Sequence, residues 1–214
     1  MTIASKDHKD QYPSGARRFP VGFWNYVSAD HQGAPDVADW ADAGMTLTLS
    51  PEYGPAPKHV KKVKAILNAA ARRDIRMILC DSRSHWRNLT AAGEDKYRRG
   101  MAAALREFGK HPAVVGFHVG DEPDAANFEP ACRAMRIQKE MAPHLSPFLN
   151  LFPWCKGTEN AVGFKDWAAY LDAYVKEARP DFLCYDCYSQ MNPGTEGWEM
   201  YFGNLRYYLE AGRR

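Results

Sequence analysis

Short apolar runs alternate with amphipathic stretches along most of this chain, and that alternation limits the fold more than any other feature. The runs fall at residues 19–25, 45–50, 75–81, 113–119, 147–151 and 181–185. At five to seven residues they are too short for buried helices and read as strands. Between them apolar residues recur at helical spacing. Val60, Val63, Ile66, Leu67 and Ala70 mark one helix face. Trp167, Tyr170, Leu171, Tyr174 and Val175 mark another, and Trp198, Phe202, Leu205 and Leu209 mark the last. Helices are also expected at 35–41, at 94–108 and from the segment after Pro123 to about Met141. Six successive β-α units call for a parallel sheet covered by helices.

Two α/β architectures accept such units, the doubly wound sheet and the (β/α)8 barrel. No G-x-G-x-x-G follows the first run, which removes the main support for the dinucleotide-binding form. The reading is an α/β fold of the (β/α)8 TIM-barrel type, truncated after about six units. A polar leader is expected at 1–18 and a partial barrel domain of catalytic type at 19–214. A full barrel typically takes about 250 residues, whereas this chain has 214. Self-association or a missing C-terminal segment is expected to cover the open edge, because unpaired strand edges are avoided.

Barrels of this type keep their chemistry at the C-terminal ends of the strands. The tips offer Trp24 and Asn25, then Glu52 and Tyr53, then Asp81, Ser82 and Arg83. They continue with His118, Asp121 and Glu122, with Asn150, Phe152 and Trp154, and with Tyr185, Asp186 and Tyr188. Fixed polar groups beside aromatic rings suit a sugar, whose hydroxyls need partners and whose apolar face needs a platform. The candidate substrate contacts are Trp24, Asn25, Asp81, His118, Asp121, Asn150, Trp154, Tyr185, Asp186 and Tyr188. Other roles are open for several of them: a core histidine for His118, a turn cap for Asp81, a buried anchor for Asp186, loop packing for Trp154. His118 lies four residues before Glu122 and shares its face if the strand runs straight.

Gly120-Asp121-Glu122-Pro123 is the most informative tip. A carboxylic acid held there, partly out of water, is the type of group that protonates a leaving oxygen. Acidic residues also favour helix starts through the macrodipole, so the motif alone does not separate catalysis from capping.

This segment resembles the Asn-Glu-Pro signature on the fourth strand of clan A glycoside hydrolases, which are retaining enzymes with (β/α)8 barrels. Three more segments resemble bacterial glycosidase-like barrels that carry an Asp-Glu-Pro form of the motif. They are Asn150-Leu151-Phe152-Pro153, Arg179-Pro180-Asp181-Phe182-Leu183 and Tyr185-Asp186-Cys187-Tyr188. The resemblance implies hydrolysis of O-glycosidic bonds in a poly- or oligosaccharide, with Glu122 as general acid/base and with no cofactor or metal. It also implies that Asp121 stands where an asparagine contacts the sugar 2-hydroxyl. An aspartate accepts a hydrogen bond there but cannot donate one, and its charge raises the pKa of Glu122. Retaining chemistry needs a second carboxylate about 5 to 5.5 Å away, and the clan supplies it from a seventh strand. Asp186 or Glu52 could in principle face Glu122. This polypeptide by itself is expected to hydrolyse glycosides poorly or not at all.

Other classes find less support. A net charge of +2 with scattered basic residues argues against nucleic acid, and Lys58, Lys61, Lys62 and Lys64 read as one solvated helix face. No apolar stretch is long enough for a membrane span. No signal peptide is visible in 1–18, so a cytoplasmic location is the default, with secretion open if the N-terminus is incomplete. Cys184 and Cys187 form a C-x-x-C, but residues three apart on a strand point to opposite faces, so small buried cysteines fit better than a zinc or redox pair. Two functions compete with the glycosidase. One is a metal-dependent barrel of the sugar-isomerase type, with a divalent ion held by His118, Asp121, Glu122, Asp186 and Asp81. The other is a non-catalytic carbohydrate-binding barrel.

Overall fold

The computed structural model describes residues 19–189, 194 and 197–213, so the predicted leader at 1–18 lies outside the described residues. In chain order the elements are α1 (Val37–Asp42), β1 (Leu47–Leu49), α2 (Pro57–Ala71), β2 (Arg76–Leu79), α3 (Trp86–Ala92), α4 (Glu94–Phe108) and β3 (Val114–Asp121). They continue with α5 (Phe128–Met141), β4 (Phe148–Leu151), α6 (Glu159–Val162), α7 (Trp167–Ala178), β5 (Cys184–Tyr185) and α8 (Trp198–Ala211). All the strand pairings are parallel, and the order is β1-β2-β3-β4-β5. A doubly wound sheet reverses its strand order partway, whereas a (β/α)8 barrel adds strands in sequence. The observed order is that of the barrel type.

The described residues divide into two compact units, 19–82 with 104–117, and 83–103 with those from 118 onward. In the first, β1 pairs with β2, and β2 pairs with residues 114–117 of β3. The strands are apolar because both faces are covered: Met77, Ile78, Leu79 and Phe117 are almost fully buried. Helix α2 starts with Pro57, whose missing N–H is harmless in a first turn. It buries Val63, Ile66, Leu67 and Ala70, one stripe at 3.6-residue spacing. Each such aliphatic side chain contributes roughly 1.5–3 kcal/mol on burial.

The first predicted strand, 19–25, forms no regular ladder. Val21 O accepts from Thr46 N at 2.8 Å and Leu47 N at 3.1 Å, and Phe23 O accepts from Leu49 N at 3.4 Å. The Thr46 hydroxyl interrupts the pattern, accepting from Val21 N and donating to Phe19 O, both at 2.8 Å. Gly22 makes the approach possible, since a Cβ there would lie 1.6 Å from Leu47 O.

In the second unit, residues 118–121 of β3 pair with β4, and β4 pairs with β5. Helix α5 packs on α3 and α7, and α7 packs on α8. Trp167, Tyr170, Leu171, Tyr174 and Ala178 are the buried face of α7, close to the predicted stripe. Helices α3 and α6 were not expected. Helix α8 turns the other way from the prediction: Trp198, Phe202, Leu205 and Leu209 are exposed, and Asn204, Tyr208 and Ala211 are buried. The reason is polar. Asn204, on α8, fastens the helix to the segment after β4, accepting from Trp154 N at 2.6 Å and donating to Trp154 O at 2.8 Å. Tyr208 adds a hydrogen bond to Phe152 O at 2.6 Å and stacks on Tyr185. Among the described residues no helix is long and apolar enough to cross a membrane.

Candidate active site

The site is assembled by strand register in the second unit. Asp121 pairs with Asn150 across β3 and β4, and Asn150 pairs with Cys184 across β4 and β5. Asp121 is the last residue of β3, Glu122 the next residue along, and Asp186 follows the end of β5. Parallel strands bring these three carboxylates to one end of the sheet.

A bulge then aims them. The β3–β4 register shifts between His118 and Gly120, so β3 does not run straight. An extra residue changes the facing of every side chain beyond it. The face shared by His118 and Glu122, expected for a straight strand, is therefore lost. His118 packs beside Phe148 and His85 instead, with ring centroids 5.7 and 6.5 Å apart. Burial first, then the neighbouring His85, holds its pKa down to about 4.

Glu122 has φ +42°, a left-handed backbone in a residue that precedes proline. Few non-glycine residues adopt it, and Pro123 further disfavours helical conformations before it. Strain of this sort amounts to about 1–3 kcal/mol and persists only where the surroundings enforce it. Glu122 N donates to Asn150 O at 3.0 Å. Just before it, Gly120 at φ +154° rests on Trp86, where a Cβ would come within 2.3 Å of the indole.

The carboxylates are coupled through one amide. Asn150 is buried, and its Nδ2 donates to Asp121 Oδ1 at 3.0 Å and to Asp186 Oδ1 at 3.2 Å. Its Oδ1 accepts from Cys184 Sγ at 3.3 Å. Asn150 is thus a spacer whose two amide hydrogens are already occupied, rather than a free sugar donor. Burial is the largest cause that pushes Glu122 up to about 7, followed by Asp186 and then by Asp121. Asp121 is also raised by desolvation, opposed by the Asn150 hydrogen bond, raised by Asp186 and lowered by Arg87.

The remaining predicted contacts have neighbours of their own. Tyr185 stacks on Tyr208 at 3.9 Å, and Tyr188 is exposed. Trp154 is fastened by its backbone to Asn204 and by Nε1 to Glu159 Oε1 at 3.0 Å, with Tyr207 beside its ring, which is a loop-packing environment. Trp24, Asn25 and Asp81 belong to the first unit. Asn25 is a buried loop anchor there, donating to Gln32 and accepting from Val27 N. Asp81 is buried and bridged through its backbone to Tyr53, and Trp24 lies against Tyr26. The cysteines are free, and only Cys132 is fully buried. Cys184 turns to Asn150 and Cys187 to Asn204, so the C-x-x-C thiols do face different partners. Among the described residues no group of three His, Cys, Asp or Glu side chains is placed to hold a metal ion.

Sequence reasoning missed His85, Trp86 and Arg87. They open α3, whose start carries no Ser, Thr, Asp or Asn cap; His85 Nδ1 accepts from Arg87 N instead. Arg87 lies over the Trp86 ring at 5.0 Å and supplies the positive charge acting on Asp121.

No protein-family model and no curated protein matches the sequence. Solved structures do match in fold. A chitinase from Chromobacterium violaceum is 13% identical with a TM-score of 0.59, over 90% of this chain and 65% of the chitinase. Xylanase 10B from Thermotoga maritima is 12% identical with a TM-score of 0.59, over 89% of this chain and 67% of the xylanase. A β-galacturonidase from Eisenbergiella tayi, bound to galacturonate, is 12% identical with a TM-score of 0.58, over 87% of this chain and 32% of that enzyme. The chain therefore shares the fold of glycoside hydrolases and spans about two thirds or less of the length of these three.

Proposed function

We propose that residues 19–214 form a glycosidase-type barrel domain acting on O-glycosidic bonds of a poly- or oligosaccharide, with Glu122 as general acid/base. The observation that carries this reading is Glu122, held at the tip of β3 on a left-handed backbone next to Asp121, which Asn150 ties to Asp186. A carboxylic acid that keeps its proton up to about 7 can deliver it to a leaving oxygen near neutral pH. Fold neighbours that are named for acting on sugars support carbohydrate as the substrate class.

Glu122 protonates the glycosidic oxygen as the C–O bond breaks, and then takes a proton from the incoming water. Asp121, beside it and next to Arg87, accepts from a sugar hydroxyl. Retaining hydrolysis needs a second carboxylate about 5 to 5.5 Å from the first. The resemblance to clan A barrels assigns the nucleophile to a carboxylate of a seventh strand. The test is release of reducing ends from a panel of oligosaccharides. The wild type should exceed the uncatalysed rate, and Glu122→Gln should lose about 100-fold or more of that excess.

A further inference from the structure

We infer that Cys184 is a positioning residue of the candidate site: its thiol holds the Asn150 amide in the one orientation that presents both amide hydrogens to Asp121 and Asp186. The inference deepens the proposed function and rests on it only where hydrolysis is concerned. It gives a task to one half of the C-x-x-C, since Cys187 turns to Asn204 instead.

Register sets the row. Asp121 on β3 lies opposite Asn150 on β4, and Asn150 lies opposite Cys184 on β5. Opposed residues of paired strands put their side chains on the same face of the sheet, and Asp186, two residues past Cys184, returns to that face. The contacts follow the row. Cys184 Sγ donates to Asn150 Oδ1 at 3.3 Å. Asn150 Nδ2 donates to Asp121 Oδ1 at 3.0 Å and to Asp186 Oδ1 at 3.2 Å. The same residue anchors the proposed acid/base, because Asn150 O accepts from Glu122 N at 3.0 Å.

Hydrogen-bond valence admits only this orientation. A carboxylate oxygen and an amide oxygen accept, whereas an amide nitrogen has two hydrogens to give. Turned over, the amide would set its oxygen against two carboxylates and its hydrogens against a thiol. As built, each hydrogen meets an oxygen. The thiol keeps the hydrogen it donates: burial first, then Asp186 and Asp121, pushes it up to about 12. The cation at this tip, Arg87 on α3, acts on Asp121. Asn150 is 2% exposed, so an alanine at 184 would leave a buried carbonyl without its donor. A serine would supply one again.

The test follows the Asn150 side-chain amide by 15N–1H NMR, assigned through Asn150→Asp. In the wild type both amide hydrogens should exchange with solvent about 100-fold or more slower than those of an exposed asparagine. Both should also shift as Asp121 takes up its proton, above its ordinary value of 3.8. Cys184→Ala should speed the exchange about 10-fold or more, and Cys184→Ser should restore it. Cys132→Ala removes another buried thiol, on α5, and should leave the Asn150 amide unchanged. Fast exchange or an amide indifferent to pH in the wild type overturns the inference, and neither result needs a variant to fold. So does wild-type exchange in Cys184→Ala, no restoration by serine, or an equal effect of Cys132→Ala. In hydrolysis, Cys184→Ala should lower kcat about 10-fold or more while KM changes little. A slowly exchanging amide in a protein that hydrolyses nothing would support this inference and count against the Glu122 role. Normal hydrolysis with a freely exchanging amide would sink this inference alone.

Discussion

Replacing Gly120 with alanine should weaken the fold through a clash that can be worked out from the tip of β3. The new Cβ would lie 2.3 Å from Trp86 Cδ1, 2.4 Å from Nε1 and 3.3 Å from His85 Cε1. Carbon atoms pack best at about 3.5–4.0 Å, so something must move by more than an ångström. Trp86 is only 4% exposed and cannot swing into solvent. Overpacking of this kind costs about 1–3 kcal/mol, and a side chain at φ +154° adds about 1–2 kcal/mol of backbone strain. Gly44→Ala is the control, because Gly44 has φ +79° and nothing within 4 Å of its Cβ position. It should carry the backbone share alone. Urea denaturation followed by circular dichroism reads the difference. With a slope of about 2 kcal/mol/M, the midpoint of Gly120→Ala should fall roughly 0.5–1.5 M below that of Gly44→Ala. In a Trp86→Leu background the extra loss should shrink, exposing a coupling of about 1 kcal/mol or more. Equal losses in the two alanine variants, or no coupling to Trp86, would refute the packing argument that seats Glu122.

Helix α8 offers a second test. Asn204→Ala removes the partner of Trp154 N and O and should destabilise by about 1–3 kcal/mol. Leu209→Gln on the exposed face should stay within about 0.5 kcal/mol in the same denaturation series. A third concerns pH. Glu122 binds its proton more tightly folded than at its ordinary value of 4.5, so its contribution to stability is complete below 4.5 and is lost as pH rises through about 7. Thermal unfolding from pH 4.5 to 7.5 should show that slope in the wild type and a flatter one in Glu122→Gln.

The architecture was legible because five of the six predicted runs coincide with strands and their order follows the sequence. The first run failed for a local reason: the Thr46 hydroxyl takes bonds that a ladder would use. Helix α8 failed because periodicity finds an apolar stripe but not what it faces. Asn204, polar and buried, decided the rotation of the helix through two backbone bonds that no hydrophobic pattern records. The site was half legible. The sequence marked Asp121, Glu122 and Asp186 as residues at strand ends, and register brought them together. It could not reveal the bulge after His118, since a bulge depends on the partner strand, nor Asn150 as their common bridge. His85, Trp86 and Arg87 escaped notice because α3 begins without a recognisable cap.

The central claim is that Glu122 donates the proton to a leaving oxygen, and leaving-group dependence tests it most directly. Initial hydrolysis rates of wild type and Glu122→Gln should be compared on a paired set of one sugar with a poor alkyl leaving group and with an activated aryl group. A poor leaving group needs the proton and an activated one scarcely does. The account predicts a loss of about 100-fold or more on the alkyl glycoside and a much smaller one on the aryl glycoside. Equal rates for wild type and variant on the alkyl glycoside would contradict it.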